Sequence, residues 1–160
     1  MDKTIMITNM RKVRASAIPT GSGSNTPIDM FCTSQSMPGL QDANTWGFLN
    51  NDPDMEVGLT EVGASPGMNP LPFQMADTPA LRAEMTEHMA NGTKFDIKYV
   101  YDDKNYEEIL TIIVHGCFIL NPGSSETTEI ESVPMMTVSF QPRGGGKLED
   151  IMTTTSVARP

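Results

Sequence analysis

Residues 109–114, Ile-Leu-Thr-Ile-Ile-Val, are apolar on both faces of what the surrounding pattern makes a strand. Successive side chains of a strand point to opposite sides, so Ile109 and Ile113 fall on one face and Leu110, Ile112 and Val114 on the other. The segment just upstream reads as one helix, and one helix covers only one side of such a sheet. The other side then requires a second sheet or a neighbouring copy of the chain. The pattern points toward assembly and away from catalysis.

At 160 residues the chain is long enough for one domain with a core and short for two. Apolar residues make up 38% and charged residues 19%, with the deficit filled by Thr, Ser, Asn, Gly and Pro. That balance suits a β-rich fold with long polar loops. Eleven Lys and Arg against twenty Asp and Glu leave a net charge of −9. Nucleic-acid affinity comes largely from cations neutralising phosphates, so the charge argues against backbone binding. It suits a soluble acidic protein, or a surface that DNA must pass without adhering. No window has the continuous apolar length of a membrane span, and the N-terminus lacks the pattern of a secretory signal. The thirteen methionines suit irregular core gaps and, alternatively, adaptable subunit contacts.

Along the chain, residues 4–14 read as a first strand and 19–27, PTGSGSNTP, as a flexible loop. Residues 28–35 alternate, with Ile28, Met30, Cys32 and Ser34 on one face, and form a second strand. Residues 36–54 carry Pro38, Gly39, Gly47 and Pro53 among isolated apolar residues, and an unstructured connection of this length usually has a task. Trp46, with Phe48 and Leu49 beside it, either tucks this loop onto the body or anchors a subunit contact. Residues 55–62 alternate as a strand, and the prolines at 66, 70 and 72 make 63–74 an extended connector. Thr78-Pro79 opens a helix over about 79–90, with Leu81, Met85, His88 and Met89 on one stripe and Asn91-Gly92 closing it.

Residues 94–101 put Phe95, Ile97, Tyr99 and Tyr101 on one face, the clearest half-buried strand in the chain. A polar turn at 102–105 leads to a long strand at 106–120, bent or bulged at Gly116, then a loop at 121–125. The last expected strand is 128–141, where Pro134 signals a bulge or an edge. The domain expected is 1–142, mainly β (α+β), a sandwich or barrel-like body with one flanking helix. Residues 143–160 read as a free tail, or as an arm that grips a neighbouring copy through Leu148, Ile151 and Met152.

Catalytic chemistry finds little support. Cys32, His88, His115 and Cys117 lack the paired spacing of a zinc site, and the two cysteines fit free thiols better than a disulfide. His88 on the helix stripe reads as a hydrogen-bonded packing residue. His115 and Cys117 share a strand whose apolar neighbours make an inert setting for a thiol. The glycine runs at 21–24 and 144–146 lack the Lys-Ser/Thr of a phosphate loop. Asp102 with Asp103 and Glu107 with Glu108 read as solvated charges that discourage unwanted pairing at an exposed strand. No catalytic residue, cofactor or metal is expected. The subunit-contact candidates are Trp46, Phe48, Leu49, Ile112, Val114, Leu148 and Ile151.

The run TPALRAEMTEHMANGTKFDIKYVYDD, followed by YEEILTIIVHGCFILNPGSSETTEIESVPMMTVSF, resembles the C-terminal half of tail tube proteins of contractile bacteriophages. The order is helix 79–90, strand 94–101, turn 102–105, strand 106–120, loop 121–125 and strand 128–141, with ILTIIVHG and NPGS the most telling pieces. The resemblance implies a subunit packing six to a ring whose inner wall is a continuous β-barrel, with rings stacked head to tail. It implies a virion tail protein assembled in the host cytoplasm, with DNA passing through the lumen unbound. Partners would be the chain itself, then sheath, baseplate and neck proteins, with no membrane anchor. Other members of the fold group, such as tube initiators, terminators and secretion-system rings, stay open, as does a β-sandwich binding module.

Overall fold

The structure, a computed structural model, describes residues 13–21, 26–33, 35–38, 56–57, 68–104, 107–130, 133–143 and 146–160. Strands β1 (Val13–Thr20), β2 (Ile28–Cys32), β3 (Glu56–Val57) and β4 (Leu71–Ala76) precede helix α1 (Pro79–Asn91). Strands β5 (Lys94–Tyr101), β6 (Glu108–Ile130), β7 (Val133–Gln141) and β8 (Gly146–Lys147) follow, then the short helix α2 (Leu148–Ile151) and β9 (Met152–Ala158). The main sheet runs β5-β1-β2-β4-β7-β6-β9, and an additional β5–β6 pairing closes its first six strands into a barrel. β3 and β8 form a separate two-stranded pair.

The barrel closes because β6 is long enough to serve three partners. One of its edges pairs with β5 from Leu110 to Phe118. Its other edge pairs with β9 from Glu108 to Val114, then with β7 from Phe118 onward. The changeover falls at Gly116, whose φ of +68° is a left-handed conformation that only glycine adopts cheaply. Here His115 and Gly116 together oppose Asp96, so the inward phase moves from Leu110, Ile112 and Val114 to Cys117 and Ile119. The bulge expected at Gly116 is thus present.

The core is aromatic. Phe95, Ile97, Tyr99 and Tyr101 all point inward from β5, as their alternation predicts. Phe95 meets Phe140 edge-on at 5.3 Å, Phe140 meets Phe73 at 6.0 Å, and Phe73 meets Tyr99 at 5.7 Å between ring centroids. The Tyr99 hydroxyl donates to the carbonyl of Ser36, and the Ser36 hydroxyl donates to the carbonyl of Pro72. This fixes the turn after β2 with no buried polar atom left over.

Helix α1 forms as its caps predict. The Thr78 hydroxyl accepts from the Leu81 amide at 3.1 Å, and Gly92, at φ +64°, lets two amides close on the His88 and Met89 carbonyls. Its burial is narrower than the expected stripe: Met85 is fully buried, Leu81 and His88 partly, while Met89 is 46% exposed. Arg82 completes the docking, with its guanidinium on the Asp77 carboxylate and one nitrogen reaching the Gly123 carbonyl.

Several expectations need correction. The first described strand runs to Thr20, so Pro19 lies in a strand and not in the loop assigned to it. The connector expected at 63–74 hides β4, because Pro72 stands beyond the two-residue pairing of β4 with β2 and sits opposite Ser139. The loop expected at 121–125 is strand: β6 continues through it with register shifts that absorb Pro122 and Gly123. Residues 146–160, expected as a tail or an arm, pair within their own chain, because β9 completes the β6 edge that β7 leaves. Residues 4–12, Trp46, Phe48 and Leu49 lie outside the described residues, as does all but Glu56–Val57 of the strand expected at 55–62.

Candidate assembly surface

Three of the contact residues expected on β6 and α2 lie inside the subunit. Ile112, Val114 and Ile151 are buried in its own core, and Leu148 begins α2. The apolar residues of 109–114 that look outward are Ile109 and Ile113, both half-buried. Closure of the sheet on itself explains the difference: of the two covers the pattern allowed, a second sheet or a neighbouring copy, the barrel supplies the first.

What remains exposed is the outer wall and one strand edge. Directly opposed residues of antiparallel strands share a face. The outward row therefore runs from Phe31 through Arg14, Val100 and Thr111 to Thr155, with Asp29, Ser16, Lys98, Ile113 and Thr153 beside it. Phe31 is 53% exposed, and Val157, opposite Ile109, is 62% exposed. Phe118 and Leu120 are also exposed, on β6 just past the bulge.

β9 is the edge of this sheet, and among the described residues no strand covers its far side. Its sequence, MTTTSVA, has neither charge nor proline, the usual protections of an edge strand. From Thr153 to Ala158 its side chains are half-buried or exposed. Besides the ladder, polar contacts hold it. The Ser156 hydroxyl donates to Glu108 at 2.9 Å, and the Arg159 amide donates to the Glu107 carbonyl at 2.7 Å. The Arg159 guanidinium grips the Asp102 carboxylate and the Asp103 carbonyl. Asp103 itself is only 4% exposed and accepts from the Tyr101 hydroxyl at 3.0 Å, so the solvated role expected of it is corrected. Exposed ion pairs of this kind contribute about 0–1 kcal/mol each.

A further contact lies at the bulge. His115 Nδ1 stands 3.5 Å from Asp96, His115 Nε2 is 3.3 Å from the Thr153 hydroxyl, and the Gly116 amide donates to Asp96. The order carboxylate, imidazole, hydroxyl is that of a nucleophilic relay. All three side chains stand partly or fully in solvent on the outer wall, and the contact fastens β9 to β5 across β6. His88 bonds Thr93 at 3.1 Å and packs edge-on against Phe95 at 5.1 Å, the packing role expected of it. Both cysteines are free thiols. Burial pushes the Cys32 thiol up to about 11 and the Cys117 thiol up to about 12, which leaves both protonated and unreactive near neutrality. Among the described residues no group of His, Cys, Asp and Glu is arranged to hold a metal.

Charge is unevenly placed. Exposed carboxylates cluster on α1 (Glu84, Glu87), on the β5–β6 turn (Asp102, Glu107) and on α2 (Glu149, Asp150). The outer barrel wall sets Asp29 and Asp96 against Arg14, Lys94 and Lys98. β9 was missed in the sequence because a run of threonines offers no apolar face, although its β-branched residues were a strand signal.

No family model and no curated protein sequence matches the chain. Solved structures do. A chain of the anti-feeding prophage baseplate, seen by electron cryomicroscopy with six-fold symmetry applied, aligns with a TM-score of 0.54 at 8% identity, covering 95% of this chain and 97% of that one. An Hcp protein aligns at 0.46 and 8% identity over 92% of this chain and 98% of that one. Hcp1 from Salmonella typhimurium aligns at 0.47 and 13% identity over 92% and 95%. The fold is similar to that of the baseplate chain: among the described residues, a closed six-strand barrel with one extra strand and a flanking helix, α1.

Proposed function

We propose that the chain is a structural subunit of a contractile-tail particle, in which copies join edge to edge into rings, six to a ring, and the rings stack as a conduit. The observation that carries this reading is the uncharged edge of β9, which no strand covers among the described residues, on a barrel similar to a chain of the six-fold symmetrised anti-feeding prophage baseplate. Among the described residues no strand pairs with β6 beyond Phe118 on the side that β5 leaves, beside exposed Phe118 and Leu120, which offers a second edge. Two different edges on one subunit make a heterologous contact, which closes into a ring when the rotation allows. The particle is a virion tail in this reading, with sheath, baseplate and neck proteins as further partners.

Passage of DNA through the lumen fits the charge pattern. A wall near balance, or elements rich in carboxylates, avoids the ring of Lys and Arg that would hold phosphates by counterion release. A second reading, a baseplate component in place of the main tube, is favoured by the likeness to a baseplate chain.

The test is purification and imaging by negative stain beside the variant T155K/V157K, which protects the β9 edge with charge. The wild type forms rings or tubes, and the variant keeps its circular dichroism spectrum and melting temperature but stays monomeric. A wild type that is monomeric at every concentration and salt overturns the proposal. Rings unaltered by the variant move the contact away from β9.

A further inference from the structure

The C-terminal segment differs from every other strand of the sheet in what holds it. Ile151 and Met152 enter the core, but from Thr153 onward nothing on β9 is fully buried. Its side chains bond Asp102, Asp103, Glu108 and His115 among others, and the Glu107 carbonyl takes the Arg159 amide. All five belong to one continuous piece of chain, the β5–β6 turn and the first half of β6. The receptor for β9 is therefore complete without any residue of the C-terminal segment. In sequence, the segment follows β8 (Gly146–Lys147), the two-residue strand that pairs with β3, and Gly144-Gly145 lie between β8 and the end of β7.

We propose that residues 148–160 are an exchangeable arm: in the assembled particle, the β9 of one copy occupies the β6 edge, residues 108–114, of the next copy. The inference rests on the reading that copies of this chain associate, and adds how they are joined. Every contact made at home is reproduced on the neighbour, since the receptor is identical, so exchange sacrifices no ladder bond, buried side chain or ion pair. An exchanged segment is a low-cost route to association, and one passed from each copy to the next in the same direction is heterologous and runs around a ring. Ile151 and Met152 then fill the neighbour's core in place of their own, and the exposed edge of β9 remains available for the lateral contact described above.

Thr111 and Thr155 are directly opposed on the outer face of β6 and β9. Opposed Cα atoms of antiparallel strands lie about 4.5–5.5 Å apart, within the span a disulfide bridges. The experiment mixes two full-length variants, T111C and T155C, during assembly, oxidises the particles mildly and runs them on a non-reducing gel. The native thiols stay silent because both are held protonated, and wild-type particles serve as the control. Exchange gives a covalent heterodimer at least tenfold above either variant alone, and the double variant T111C/T155C gives a ladder of covalent multimers. Assembled particles whose double variant closes only within the monomer, with no heterodimer in the mixture, overturn the exchange and leave the assembly reading standing. Protein that light scattering shows to be monomeric before oxidation overturns both. The pair I113C and T153C, opposed two residues along, repeats the measurement should the first pair perturb folding.

Discussion

The barrel and the strand attached to its edge are built on opposite terms. In the barrel, Phe73, Phe95, Tyr99 and Phe140 are buried and in mutual contact, and each fully buried side chain of this size contributes about 1.5–3 kcal/mol. On β9, residues 153–158 are held by a backbone ladder and by polar contacts at the surface. A body held by burial opens as a whole, whereas an edge held by polar contacts opens alone.

The largest effect that separates the two regions is expected from Phe140→Ala. Removing the ring between Phe95 and Phe73 costs about 3–5 kcal/mol, and thermal unfolding shows the whole barrel melting earlier in one transition. Unchanged cooperative melting would break the claim that the aromatic series unifies the body. Gly116→Val comes next, at about 1–2 kcal/mol in chemical denaturation, because a β-branched residue is forced to positive φ where there is room for its side chain. Arg159→Ala is smaller, up to about 1 kcal/mol, and confined to the edge. Hydrogen exchange quickens over 152–158 while the protection of β5 and β1 stays as it was. Accelerated exchange throughout the barrel would erase the distinction.

Two pH effects sharpen the comparison further. The Arg82 guanidinium, chiefly through its hydrogen bonds to Asp77 and also through its charge, holds the Asp77 carboxyl below its ordinary 3.8 against the opposing effect of desolvation. A carboxyl depressed in the folded state stabilises above its unfolded value, and that contribution is lost as pH falls through the folded one. The docking of α1 is therefore insensitive to pH from neutrality down to about 4 and loosens only in stronger acid, as helix-specific exchange will register. The thiols work in the other direction. Raised by burial, they cost nothing below an ordinary value of 9.0, and stability declines as pH climbs from there toward about 11 and about 12. Denaturant titrations at pH 8 and pH 10.5 measure the loss, and labelling by a thiol reagent reaches half-buried Cys32 before Cys117.

The same contrast explains what was legible in the sequence. Strands β2 and β5 alternate cleanly and α1 carries its own caps, so local chemistry was enough. β4 was hidden by Pro72, whose missing donor is harmless only because of where the pairing with β2 ends, a tertiary fact. The second half of β6 was hidden by Pro122-Gly123-Ser124, which reads as a turn and is absorbed as bulges against β7. The assembly surface was the least legible. Two-sided apolar character at 109–114 asks for a second sheet or a neighbouring copy and does not choose between them, and the inner face is met by the barrel core. The outward edge depends on a threonine-rich strand that carries almost no hydrophobic signal.

Pairing of the first described strand with the fifth has a consequence for how the molecule is made. Thr20 and Lys94 are 74 residues apart, and the ring of hydrogen bonds cannot shut until the chain has been synthesised well beyond that point. Contacts this distant are slow to form, because the entropy of a large loop is lost before the contacts compensate for it. On a ribosome, β1 and β2 emerge as a hairpin and wait for β5, seconds later at ordinary elongation rates of about 5–20 residues per second. The hairpin spends that interval with its greasy side uncovered, a stage at which a chaperone or an early partner has the most to gain.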